Sequence, residues 1–227
     1  MSVLDGDSGA AAEAPVGELL AVRRDQALTR ALDFGAALAV LLLLAAPMLL
    51  IWLLVRSTSE GPAVFRQRRV GLGGASFILY KFRTMLPDAD DAPLRALVAA
   101  ELRGEDTAVD GSHKLADPRV TPIGRFLRRT SLDELPQLLN VLRGDMALVG
   151  PRPCLEWEAR LFPAHFWPRF SVRPGLSGLW QVSGRSSLDT VDMLQLDLTY
   201  VRTRRLTGDL AILARTLPAL LRDRTAR

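Results

Sequence analysis

Residues 130–153 read TSLDELPQLLNVLRGDMALVGPRP. Ser131 followed three residues later by Glu134 has the spacing of a capping box. Pro136 falls in a first turn, where a missing N–H costs little. Leu135, Leu138, Leu139 and Leu142 then recur at i, i+3, i+4 and i+7, one apolar helical stripe, and Gly144 supplies a stop. The pattern predicts a helix over 132–143 that opens on an acidic pair, Asp133 and Glu134. One reading makes these two acids complements of the helix dipole. A second starts from their neighbours, because Arg119, Arg125, Arg128, Arg129, Arg143 and Arg152 crowd the stretch. Guanidinium forks suit phosphate and diphosphate groups, and a helix N-terminus attracts anions. A carboxylate there can attack phosphorus, and its neighbour can hold Mg²⁺. Gly150-Pro151-Arg152-Pro153 is a rigid turn that fixes one of the arginines.

Upstream, residues 63–70 and 75–83 are two extended runs around Gly71-Leu72-Gly73-Gly74, a hairpin pattern. On the second run Phe77, Leu79, Lys81 and Arg83 share one face, so Lys81 and Arg83 are expected to project together. They form either a phosphate clamp or a solvated strand end. Residues 87–117 are polar and acidic, with Asp88, Asp90, Asp91, Glu105 and Asp110. They suggest only a short helix near 94–102, and His113 reads as a surface residue.

The most apolar segment is 31–55, without charge from Phe34 to Val55. As one straight helix it would reach about 35 Å, enough to cross a bilayer. Pro47 interrupts it, however, and proline bends or breaks a helix. Arg23, Arg24 and Arg30 precede the segment, and Arg56, Arg66, Arg68 and Arg69 follow it. Basic residues mark cytoplasmic flanks, and here both flanks carry them. A helix that enters, breaks near Pro47 and returns satisfies both signals, whereas a kinked full span satisfies only one. Residues 1–20 hold Asp5, Asp7 and Glu13 among Ala and Gly and lack the pattern of a secretory signal.

Downstream, residues 173–185 read RPGLSGLWQVSGR, a loop able to grip a polar ligand. Residues 156–170 hold Trp157, Phe162, Phe166, Trp167 and Phe170 with Arg160, His165 and Arg169. That stretch is read either as docking at a membrane interface or as core packing. Leu206–Arg222 reads as a second amphipathic helix. The net charge of +4 suits anionic partners, and the single cysteine, Cys154, excludes an internal disulfide. There is no Walker spacing, no dinucleotide fingerprint, no Cys/His metal cluster and no nucleic-acid module.

The segments KFRTM, TSLDELPQLLNVLRGDMALVGPRP and RPGLSGLWQVSGR together resemble the bacterial sugar transferases, the monotopic polyprenyl-phosphate phosphoglycosyl transferases. The order of features agrees, from a basic-flanked apolar hairpin through GPAVFRQRRVGLGG to the acidic pair and the Pro-Arg-Pro turn. The resemblance covers residues 28–222, and RPGLSGLWQVSGR is similar to the hexose-type branch. It implies that Asp133 attacks the β-phosphate of a UDP-sugar, that UMP leaves, and that undecaprenyl phosphate takes the sugar phosphate from the aspartyl intermediate. It also implies that Glu134 binds Mg²⁺. The expected substrate-binding residues are Lys81, Arg83, Arg128, Arg129, Gln137, Asn140, Pro151, Arg152, Pro153, Arg173, Gln181 and Arg185. The family's re-entrant helix breaks at a Ser-Pro or similar pair, and Ala46-Pro47 keeps only the proline.

The expected fold is α+β and mainly helical. A flexible tail (1–27) precedes a re-entrant membrane hairpin (28–60), then a catalytic domain (61–227) with a small β-hairpin and interfacial amphipathic helices. Larger family members carry further upstream membrane helices and another domain, so the chain resembles a core catalytic unit. The expected place is the cytoplasmic face of the inner membrane, in contact with its lipid and with no nucleic-acid partner. A homodimer is compatible with this reading. The alternative is a membrane-bound nucleotide-sugar hydrolase, in which water replaces the lipid acceptor.

Overall fold

The computed structural model describes residues 16–86, 92–105, 119–184 and 188–222. Helices α1 (Val16–Leu43) and α2 (Ala45–Thr58) meet at Leu44, where the segments Ala27–Leu43 and Ala45–Thr58 bend by 65°. Pro47 is the third residue of α2, so the donor it lacks is one that no intrahelical acceptor needs. Its ring also disfavours a helical carbonyl four residues back, at Leu43, which places the break just upstream of the proline. Among the described residues no single helix is long and apolar enough to cross a membrane, while this bent pair passes the test of length and composition. The expected tail is corrected in part: residues 1–15 lie outside the described residues, but 16–27 belong to α1.

One side of the bent pair is packed and the other is bare. Ala37, Val40 and Leu41 of α1 pack against Leu79, Leu138, Val141 and Met146. Ile51 and Val55 of α2 pack against Ala63, Phe82 and Leu127. Around the bend, Leu42, Leu43, Leu49 and Leu50 are 58–78% exposed.

The hairpin forms within a residue of its expected limits. Strand β1 (Val64–Val70) pairs antiparallel with β2 (Ser76–Phe82), with Val64 opposite Phe82 and Val70 opposite Ser76. Gly73 and Gly74 take φ values of 65° and 80° in the connection, which a side chain would resist. The short helix expected near 94–102 is α3 (Ala92–Leu102), and α4 (Pro122–Thr130) follows, capped by Thr121 through the Gly124 N–H at 3.0 Å.

The helix expected over 132–143 is a 3-10 helix, Leu132–Gln137, running into α5 (Leu138–Arg143). Its expected capping box is absent, since Ser131 makes no side-chain capping bond. The reason is local. Ser131 already closes α4 in the left-handed region at φ 55°, and Pro136 cannot donate to the Leu132 carbonyl that an α-helix would offer it.

The remaining elements are β3 (Ala147–Val149), α6 (Glu156–Leu161), a 3-10 stretch (Ala164–Ser171), β4 (Gly175–Ser177), α7 (Leu179–Ser183), α8 (Thr190–Thr203) and α9 (Leu206–Arg222). Strands β3 and β4 pair in parallel. They approach so closely that a Cβ on Gly175 would lie 2.0 Å from the Gly150 nitrogen. The aromatic stretch is mostly core: Phe162, Phe166 and Phe170 pack with Val70, Cys154, Leu194 and Leu198. Trp157 is also buried, and of the five aromatics only Trp167, 58% exposed, is available at a surface.

Candidate active site

The 3-10 helix brings Asp133 and Glu134 beside β2. Glu134 Oε1 accepts from Lys81 Nζ at 2.8 Å. Asp133 is 7% exposed, and burial pushes its carboxyl up to about 6. The Glu134 charge adds to that rise, while Lys81 and Arg128 oppose it. Arg128 is turned toward this corner from α4, with its Nε donating to Thr84 Oγ1 at 2.9 Å. Two adjacent carboxylates in unlike surroundings, one desolvated and one paired, are the arrangement from which distinct chemical roles arise.

A cavity of about 410 Å³ opens next to the pair. Lys81, Glu134 and Gln137 form part of its wall, with Arg152, Pro153 and Gln181 of the two downstream motifs. Asp133, nearly buried, is not itself on the wall. Arg152 is exposed and lies over the Trp180 ring at 5.5 Å from its centroid. The far wall comes from α3 and the start of α8, where Glu101 receives the Thr190 N–H at 2.9 Å.

Several expected site residues point elsewhere. Lys81 and Arg83 do not project together. Arg83 is buried and donates to the Val55 and Ser59 carbonyls at 3.3 and 2.8 Å, because it follows the last residue of β2 and turns under the open end of α2. Asn140, fully buried, bonds the Tyr80 N–H and the Ile78 carbonyl and so pins β2 to α5. Arg173 donates to the Gly144 carbonyl at 2.8 Å, and the Pro151 carbonyl accepts from the Gly175 N–H at 2.9 Å. Arg129 is exposed on α4. Arg185, His113, Asp88, Asp90, Asp91 and Asp110 lie outside the described residues. Sequence reasoning missed Arg69, Glu101, Glu158 and Trp180 on the cavity wall. Trp180 sits inside the quoted glycine-rich motif and could have been found there. Arg69 sits likewise in the quoted GPAVFRQRRVGLGG run, whereas Glu101 and Glu158 carry no local signal, since only the tertiary fold brings them to the cavity.

The family model described as "Bacterial sugar transferase" matches residues 24–223. The chain belongs to the bacterial sugar transferase family. Among the family's curated members it is 40% identical to the exopolysaccharide production protein ExoY of Rhizobium meliloti, with 86% of each chain covered. It is 44% identical to the UDP-glucose:undecaprenyl-phosphate glucose-1-phosphate transferase of Caulobacter vibrioides, over 85% of this chain and 69% of that one. It is 38% identical to the undecaprenyl-phosphate galactose phosphotransferase of Salmonella typhimurium, over 89% of this chain but 42% of that protein's length. The bacterial sugar transferase match thus takes in the bent helix pair from residue 24 onward, the acidic pair, and both downstream motifs.

Proposed function

We propose that this chain is a membrane-inserted phosphoglycosyl transferase that moves a sugar 1-phosphate from a UDP-sugar to undecaprenyl phosphate, releasing UMP. One observation carries the reading: a desolvated carboxylate and a lysine-paired carboxylate are adjacent beside a cavity that Lys81 and Arg152 line, in a chain that also presents a bare apolar helix bend. The names of the Caulobacter and Salmonella relatives supply the substrate class, a hexose on undecaprenyl phosphate.

In this reading the Asp133 carboxylate attacks the β-phosphorus of the donor. The bond from that phosphorus to the bridging oxygen breaks, and UMP leaves with the electron pair. A phosphate oxygen of the lipid then attacks the acyl phosphate, forms the diphosphate and returns Asp133 as a carboxylate. Burial suits the nucleophile, because a poorly hydrated carboxylate is more reactive than one in water. Lys81 holds Glu134 in place and supplies positive charge beside the incoming diphosphate. Arg152 lines the cavity where a donor phosphate would lie.

The donor set also fits Mg²⁺. Among the described residues no group of three or more His, Cys, Asp or Glu side chains could share a metal, but this ion commonly takes one or two carboxylates and completes its shell with substrate phosphates. Glu134 would hold it, and when bound it would screen phosphate charge and ease departure of the leaving group. We further propose that the helix pair re-enters the cytoplasmic leaflet without crossing it.

The test is UMP release from a panel of UDP-sugars by membranes carrying the protein, with and without undecaprenyl phosphate. Release beyond one equivalent per enzyme that requires the lipid, with a lipid-linked sugar as product, is expected. Lipid-independent release of free sugar phosphate would make the protein a hydrolase instead.

A further inference from the structure

The Gly150-Pro151-Arg152-Pro153 turn has four carbonyls or N–H groups that prolines and neighbours leave open, and each meets a specific partner. The Pro151 carbonyl takes the Gly175 N–H at 2.9 Å. The Arg152 carbonyl takes Arg169 Nη2 at 2.7 Å, and the Pro153 carbonyl takes Arg69 Nη1 at 3.1 Å. Neither proline has an N–H, so Arg152 carries the central one, and it interacts with the Asp197 carboxylate. Arg169 and Asp197 are themselves ion-paired at 2.6 Å, with each side chain 1% exposed. The Arg169 guanidinium lies 5.2 Å from the ring centroids of both Phe162 and Phe170, which fixes its plane.

Burying such a pair is costly, and replacing it with apolar groups of similar volume is often neutral or stabilising. Stability alone therefore does not account for it. Its geometry does, because Arg169 grips the carbonyl of Arg152 while Asp197 holds the same guanidinium from the other side. We infer that Arg169 and Asp197 are positioning residues that lock the peptide of Arg152 and thereby aim its side chain at the donor diphosphate. The inference rests on the functional reading above, in which Arg152 meets a donor phosphate. A merely structural pair would hold the 3-10 stretch to α8 and leave the cavity indifferent to its loss.

The experiment compares the full-length protein with four variants: Arg169→Met/Asp197→Leu, Arg169→Lys, Arg152→Ala, and the pair replacement combined with Arg152→Ala. UDP affinity is measured by calorimetry in detergent, and KM is measured for the UDP-sugar and for undecaprenyl phosphate. The apolar pair replacement keeps the core filled, and Arg169→Lys keeps a positive charge beside Asp197, but its shorter side chain stops short of the Nη2 position from which Arg169 reaches the Arg152 carbonyl. If the double replacement fails to fold, Arg169→Lys carries the test alone. Expected is a loss of UDP affinity on the order of tenfold in the folded pair variant, with a matching rise in donor KM and an unmoved lipid KM. Combined with Arg152→Ala, the pair variant should add little further loss, since all of them remove one interaction. A folded pair variant, or Arg169→Lys, with wild-type UDP affinity would overturn the inference while leaving the functional reading intact. So would losses that add fully to that of Arg152→Ala. A wild-type protein that does not bind UDP would overturn the functional reading and the inference with it.

Discussion

At the scale of single residues, the buried state of Asp133 has two consequences of opposite sign. Its carboxyl is 3.8 in an unfolded chain and about 6 in the fold, because burial disfavours the charge. Between those values the folded protein holds a proton that the unfolded chain has released. Raising pH through that window therefore costs stability, and above about 6 the penalty is complete. At about 1.4 kcal/mol per unit the penalty is on the order of 2–3 kcal/mol at neutral pH. Asp133→Asn should relieve it, so the variant should unfold at higher denaturant than wild type at pH 7.5 while losing turnover altogether. Wild-type turnover in this variant would exclude Asp133 as nucleophile. The same value sets the acid limb of the activity profile, because only the ionised carboxylate attacks, and the rate should fall as pH drops through about 6. Lys81 opposes the rise, so Lys81→Met should move that limb to higher pH. A limb that stays in place would show that Lys81 does not act on Asp133.

At the scale of elements, β3 and β4 run so close that no side chain fits between Gly150 and Gly175. A Cβ on Gly175 would meet the Gly150 nitrogen at 2.0 Å and the Ser177 oxygen at 2.2 Å, both backbone atoms that cannot rotate away. Gly175→Ala should therefore destabilise by about 3 kcal/mol, read from urea unfolding, and disturb both motifs at once. A variant of wild-type stability would mean that the two loops are not in contact. This pairing also marks where the sequence stopped being legible. The hairpin was readable because glycines with positive φ flank alternating runs, and α3 and α9 because their patterns are local. The acidic pair was found through its arginine surroundings. The parallel β3–β4 pairing joins residues far apart in sequence through three-residue strands, too short for periodicity to register. The capping box was misread for a related reason: the spacing of Ser131 and Glu134 was right, but α4 ends on the same serine. Arg83 and Asn140 bond buried backbone in the fold, a role the sequence did not show because polarity alone does not distinguish a phosphate ligand from a side chain that satisfies backbone.

At the scale of the whole molecule, the question is which side of a membrane each end of the bent helix pair occupies. Arg30 on α1 donates to the Val141 and Leu142 carbonyls at 2.5 and 2.9 Å, at the C-terminal end of α5. Asp33, one turn on, accepts the Leu148 N–H at 3.2 Å. At the other end of the pair, Arg83 holds the Val55 carbonyl of α2 and that of Ser59 just past its end. The approach and the exit are thus fastened to one and the same body, which also carries the acidic pair. A full crossing would separate them by a hydrocarbon layer of about 30 Å and break one set of bonds. Between these anchors, the bare leucines at the bend point away from the packed side, as a segment dipping into acyl chains requires. Cysteines placed before residue 27 and near residue 60, in a Cys154→Ser background, should both resist a membrane-impermeant thiol reagent applied to intact cells. Both should react once the membrane is opened. Labelling of the first site alone from outside would establish a complete span, and would require the Arg30 and Asp33 bonds to be absent from the membrane-bound protein.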